Sequence, residues 1–416
     1  MALRRMSSKS LVWGCVGGAV LPFCVDAQEA ASQGIKLLNN NLTLSPYVNL
    51  EVAADSNINL DRKGGSGRKT YQGYQDDFVY RLNPGVDMTY LGNDWGAVGS
   101  AWYAYNWYQR HSDAKDSARW GERLRITRES PKGWALVLNE GYMESDTHDA
   151  TYSTASGNGI WRNRTQLDAS GMLSYAFSEQ LSAALHLVYS DIWYGNYADE
   201  YYDLYGWNQW TFAGELAHRL TARSSVVLSA AYYEYYTDAK HMEFSDTSRG
   251  YTLQGGLMSR MTERIRYRAL VGASAYDYGG DKAYAPSYTL DLSWVISHRL
   301  AATVAGGGYF QPSEREYTQR KMIYTLSAGA TYKPMQRVLL TLDGIYYGED
   351  NQNVAYRSSI YGDYSTDQFT VRLRASYQLQ KYASMYCSAE YTCQESEIPK
   401  DDWDRYRLAV GLSFRY

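Results

Sequence analysis

The sequence predicts an all-β chain that closes into a transmembrane antiparallel up-and-down barrel of about 18 strands. Three observations carry this. First, the last eleven residues alternate strictly: Tyr406, Leu408, Val410, Leu412, Phe414 and Tyr416 share one face, while Arg407, Ala409, Gly411, Ser413 and Arg415 share the other. That is the period of a strand with one face for hydrocarbon and one for water. Second, from about Leu42 onward, strand-like runs are separated by breaks that are alternately short and long, the rhythm of turns on one side of a membrane and loops on the other. Third, 42 of 416 residues are Tyr and 12 are Trp, against only 8 Pro, which suits strands and interfacial aromatic belts.

The chain opens on Arg4, Arg5 and Lys9, followed by an apolar stretch from about Leu11 to Val25. Val25-Asp26-Ala27 places small residues where a leader is cleaved, so 1–27 is expected to be a signal peptide. Removing it takes the net charge from −4 to near −6. An acidic chain without a basic run is not expected to bind nucleic acid. Residues 28–41 form a short periplasmic segment, too short for a plug domain, and the barrel occupies 42–416. Cys387 and Cys393 share parity on one strand, about 20 Å apart if extended, so they are expected to face lipid unbonded.

Eight short breaks are expected at Leu91–Asp94, Ser130–Gly133, Ser178–Gln180, Thr221–Ser224, Met261–Glu263, Ser297–Arg299, Lys333–Arg337 and Leu379–Lys381. Nine long ones are expected at 55–77, 109–117, 145–159, 194–207, 237–249, 278–285, 312–320, 348–363 and 394–402. An even strand count puts both ends of the barrel on the short-turn side, where the last strand pairs with the first and leaves no open edge. A soluble β-propeller is the rival, but no motif recurs at a blade period.

Faces sort cleanly in several strands. Phe78, Tyr80, Leu82, Val86, Met88 and Tyr90 oppose Arg81, Asn83, Asp87 and Thr89. Ile265, Tyr267, Ala269, Val271 and Ala273 oppose Arg264, Arg266, Arg268 and Ser274. The run Trp95 to Tyr108 resists sorting, and Glu140 and His218 fall on faces otherwise read as lipid-facing.

Leu44-Ser45-Pro46-Tyr47-Val48-Asn49-Leu50-Glu51 leads into Asp55-Ser56-Asn57-Ile58, and later comes Asp77-Phe78-Val79-Tyr80-Arg81-Leu82-Asn83-Pro84-Gly85-Val86-Asp87-Met88. This stretch resembles outer-membrane β-barrel porins often encoded in exopolysaccharide gene clusters of Gram-negative bacteria, the beta-barrel porin 2-like group. In them a first strand ends in a similar corner and the second carries a Pro-Gly element. The match covers about residues 45–90. Leu412, Phe414 and Tyr416 likewise resemble the terminal signal read by the barrel assembly machinery. The resemblance implies an outer-membrane channel, with glycan export among its services, and carries over no catalytic residue. Physically, Pro84 removes a ladder donor, and Asp55 and Asn57 suit a turn.

Charged residues on the predicted lumen faces are Arg81, Arg119, Arg123, Arg125, Arg162, Arg164, Arg264, Arg266, Arg268, Arg372, Arg374, Arg405 and Arg407, with Glu51, Asp87, Asp168, Glu215, Asp291, Asp343 and Glu390. Charges in a watery pore set the field a solute feels, so some preference for anions, acidic sugars included, is expected. The alternative is that they hydrate and brace the wall. Tyr201, Tyr202, Tyr205, Trp207, Tyr232, Tyr233, Tyr235 and Tyr236 cluster beside long breaks, as an interfacial belt or as a stacking surface for sugars.

An enzyme needs a constellation. The sequence holds no Gly-x-Ser-x-Gly, His-Glu-x-x-His or phosphate-binding glycine loop. His186 and Ser190 share a face with Asp191 opposite, which does not build a triad, and His148 lies between Asp146 and Asp149 in a predicted loop. No metal or cofactor is expected. A rim enzyme or a structural, adhesive surface barrel remain the other readings.

Overall fold

The computed structural model describes residues 34–38, 40–57, 76–110, 117–145, 164–194, 206–237, 247–278, 281–312, 318–353, 363–397 and 402–416. The expected signal peptide, Arg162, His148 and the tyrosines at 201, 202 and 205 lie outside them.

Alternation of polar and apolar residues produces strands throughout. A three-residue strand, β1 (Ile35–Leu37), precedes β2 (Leu42–Asp55), β3 (Asp77–Leu91), β4 (Trp95–Tyr108), β5 (Ser117–Glu129) and β6 (Trp134–Ser145). Then come β7 (Arg164–Ala176), β8 (Leu181–Tyr194), β9 (Trp207–Arg219), β10 (Ser224–Thr237), β11 (Thr247–Ser259), β12 (Ile265–Tyr278) and β13 (Asp281–Val295). The chain ends with β14 (Leu300–Pro312), β15 (Thr318–Met335), β16 (Val338–Asn353), β17 (Tyr364–Gln380), β18 (Ala383–Ser396) and β19 (Trp403–Arg415). From β2 onward each strand pairs antiparallel with the next, and β19 returns to β2 from Arg407–Asp55 to Arg415–Tyr47. The barrel therefore has 18 wall strands. The extra strand β1, unexpected from the sequence, folds back on Leu42–Leu44 of β2 as a short hairpin.

Five of the eight short turns are built alike. The hydroxyls of Ser130, Ser178, Thr221, Thr262 and Ser297 each accept a backbone N–H two or three residues on, closing the chain tightly without glycine at most positions. Neighbouring turns are also tied: Arg223 donates to the Met261 carbonyl (3.0 Å) and Arg299 to that of Pro334 (3.2 Å). One expected long break fails. Tyr278 pairs with Asp281, so 278–285 is no long loop but a tight hairpin between β12 and β13. Aromatic and small residues there (Tyr284, Ala285, Pro286) carry the ladder on despite their turn-like composition.

The two faces differ as a membrane barrel requires. Leu185, Leu253, Val271, Leu408 and Val410 are each more than half exposed, and all point outward. A belt of exposed apolar side chains around the whole wall is far larger than a soluble protein tolerates, and hydrocarbon is the solvent it fits. Cys387 and Cys393 point outward and form no disulfide. Glu140 and His218 do face outward, together with Glu122, so their sequence register was sound. The ambiguous strand β4 resolves with Trp102, Asn106 and Tyr108 inward and Tyr103, Tyr105 and Trp107 outward.

Candidate pore lining

The inner wall has two sectors of different character, lying opposite each other. The first spans the seam where the barrel closes, β17 to β19 and β2 to β5. Its inward faces bring together residues distant in sequence because the last strand pairs with the first. Glu51 on β2 takes Arg81 (3.5 Å) from β3 and Arg407 from β19. The Tyr386 hydroxyl of β18 also donates to Glu51 (2.6 Å). Asp55 pairs with Arg405, Glu390 with Arg372, and Asp87 with Arg415 (3.1 Å). Arg81 donates through Nε to Asn106 (2.7 Å), which donates in turn to Ser117 (3.1 Å).

Arginines outnumber carboxylates here. Arg123 and Arg125 on β5 and Arg374 on β17 are exposed toward the interior, and the Arg372 side chain keeps 48% of its surface open although Glu390 holds it. Asp343 faces inward beside Arg372 in the strand register.

The second sector, β7 to β13, is drier. On β7, Arg164 donates to Gln166 (3.1 Å), Gln166 to Asp168 (2.6 Å), and Ser190 of β8 to the other oxygen of Asp168 (2.8 Å). On the outward face of β8, Asp191 accepts from Tyr189 (2.6 Å). Ser190 and Asp191 are thus engaged with partners other than His186. Arg264, Arg266 and Arg268 do not act as one row. Arg264 lies just before β12, and Arg264 and Arg266 are exposed near the short-turn end. Arg268 is buried against Glu215 of β9 at 2.6 Å, with 7% and 5% of the two side chains open. The expectation that both face pore water is corrected: Val227 and Leu270, almost wholly buried, share their face and keep water away. Asp291 faces inward across from Arg268.

The aromatic belt is corrected too. Tyr232 and Tyr236 point outward as a belt should, but Trp207, Tyr233 and Tyr235 point inward and are buried. Strand parity separates them. Tyr233 packs with Tyr276, Ala283, Phe310 and Met322, and Trp207 with Tyr235 and Ile192, in clusters near the long-loop end. A buried ion pair, Lys321 with Glu349 (3.7 Å), stands at the same end. Neither Tyr386 nor Trp102 was visible as a lining residue from sequence, although parity places both on the inner face.

No protein-family model matches this chain, and no curated protein sequence does. The likeness to exopolysaccharide-associated porins thus stays with the motifs at 45–90. Solved structures similar in fold include the siderophore receptor PirA of Pseudomonas aeruginosa, with 8% identity, 92% of this chain and 81% of that one covered, and a TM-score of 0.45. They also include OpdQ of the same organism (10% identity, 90% and 98% covered, TM-score 0.43). The outer membrane protein OpdK, again from Pseudomonas aeruginosa, is similar at 11% identity (90% and 99% covered, TM-score 0.43). Likeness this distant says nothing about a solute.

Proposed function

We propose that this chain is a channel of the Gram-negative outer membrane that passes small hydrophilic solutes with a preference for anions, acidic saccharides among them. One observation supports this above the rest. Arg123, Arg125, Arg266, Arg372 and Arg374 lie exposed on the inner face of a closed barrel whose outer face is apolar. A guanidinium at hydrocarbon depth costs about 2–4 kcal/mol, so these side chains call for water inside the barrel. Guanidiniums in a watery lumen raise the local anion concentration. A triad on β8 is less well supported, because Ser190 and Asp191 are engaged with Asp168 and Tyr189, while His148, the rim candidate, lies outside the described residues.

The test is a planar-bilayer recording with refolded protein. Stepwise conductance is expected, with a reversal potential in a potassium chloride gradient on the chloride side, weakening as salt rises. Screening is nearly complete beyond about 3 Å at 1 M salt, against about 30 Å at 0.01 M. A folded barrel that never conducts would point to the structural reading.

A further inference from the structure

Three arginines on the seam wall are held by one repeated device. On β18 the ring of Tyr386 lies across the facing position of β19, which is Gly411, and a Cβ there would come within 2.3 Å of the ring. The guanidinium of Arg374, from β17 on the other side, sits 3.9 Å from the ring centre. Tyr47 on β2 lies across Gly85 of β3, where a Cβ would stand 2.4 Å from the ring. Arg415, from β19, is 5.4 Å over it. Trp102 on β4 faces Gly121 of β5, where a Cβ would meet the indole at 2.9 Å, and Arg119 lies 5.3 Å over that ring.

The logic is steric first and electrostatic second. A large ring can lie flat along a sheet only where the next strand has no side chain. A flat ring then offers its negative face to a cation. An arginine seated on it no longer sweeps along the wall. Its planar fork is held ready for a group with two oxygens, which it binds through parallel N–H donors. A spherical halide uses only one of them. The neighbouring Arg81, Arg405 and Arg407 are held instead by Glu51 and Asp55, so much of their charge is already answered. Arg374 and Arg119 are seated on rings, and Arg415 on a ring with Asp87 beside it.

We propose that these glycine–aromatic–arginine stacks are oxyanion sites, which take carboxylate or phosphate groups of a solute in preference to halide. Tyr386, Tyr47 and Trp102 are their positioning residues. This rests on the channel reading and adds the chemical class of solute that the wall selects.

Citrate is the probe, measured as block of the potassium chloride current through single channels. Wild type is expected to be blocked saturably. In Tyr386→Leu and Trp102→Leu the half-blocking concentration should rise about two- to fivefold, the worth of an exposed cation–π contact. Tyr386→Phe and Trp102→Phe keep the ring and should stay near wild type. Arg374→Lys keeps the charge but loses the fork, and should weaken citrate block while leaving the chloride reversal potential in place. It also serves if the leucine variants fail to fold. Leucine variants blocked like wild type, a phenylalanine variant as weak as the leucine one, or Arg374→Lys blocked like wild type would each overturn the proposal. A wild-type channel that conducts but ignores citrate overturns it while leaving the channel intact. A barrel that does not conduct at all overturns the channel reading instead.

Discussion

Arg268 and Arg266 are two residues apart on one face of β12, yet the wall gives them opposite tasks. Arg266 is exposed, whereas Arg268 is sealed against Glu215 among Val227 and Leu270. Removing one member of a buried pair leaves an uncompensated charge, at about 3–5 kcal/mol. Arg268→Gln is therefore expected to lower the urea midpoint of the folded, heat-modifiable barrel. The double variant Glu215→Gln/Arg268→Gln should recover only part of the loss, because Asp291, across from Arg268, keeps its charge. Arg264→Gln with Arg266→Gln should fold normally and move the reversal potential toward cations, most clearly at low salt. If Arg268→Gln alone were harmless to stability while shifting selectivity, the pair would be open to water after all. Strand parity placed all three arginines on the inner face. It could not say which was buried, because that depends on Glu215, three strands away, and on the apolar neighbours between.

At the scale of the element, the seam between β19 and β2 explains the corner that stands out in the sequence. Asp55 holds Arg405 and caps the Asn57 N–H (3.2 Å). Ser56 N–H donates to the Tyr406 carbonyl (2.9 Å), and Tyr406 N–H donates to the Ser56 hydroxyl (2.8 Å). Asn57 Nδ2 donates to the Asp404 carbonyl (2.8 Å) from a fully buried site. The corner thus clasps the first wall strand to the last beyond their regular ladder. Asn57→Ala should destabilise the closed barrel by about 1–3 kcal/mol, the worth of leaving a buried partner unsatisfied, measured as a lower heat-modification temperature. At the other end of the seam, Tyr416 N–H donates to Pro46 O (3.0 Å) and its ring stacks on Tyr382 at 5.5 Å. Phe414 sits opposite Val48. Deleting residues 414–416 is expected to cut the yield of folded barrel in the membrane while leaving the conductance of what does fold unchanged. Full assembly without them would count against a terminal assembly signal. The strands themselves were legible because each carries its own alternation. The clasp was not, since its partners are some 350 positions apart and only closure brings them together.

The whole molecule has two unlike ends, one of short turns and one of long connections. Five of the eight short turns follow a local rule, a Ser or Thr hydroxyl accepting the next backbone N–H groups, and so could be read from composition. The hairpin at Tyr278–Asp281 breaks the rhythm, because a run of small and aromatic residues looks like a loop until its register with β12 is known. Yet even one short connection among the long ones leaves the sidedness intact, since an even number of wall strands returns the chain to the side where it began. Both ends of the wall, Leu42 and Arg415, lie with the Ser and Thr turns, the side expected to face the periplasm. The prediction is made in a background with Cys387→Ser and Cys393→Ser, since Cys387 is exposed on the outer face. Single cysteines are placed at Lys132, in the β5–β6 turn, and at Gly157, which the sequence reads as loop and which lies outside the described residues. A membrane-impermeant maleimide on intact cells should label Gly157→Cys and spare Lys132→Cys, and permeabilising the outer membrane should make both reactive. Labelling of position 132 alone on intact cells would invert the barrel. It would put the seam clasp, at the long-loop end, on the periplasmic side and the terminal strand's last residues outside. Equal labelling of both before permeabilisation would mean that the barrel does not span the membrane.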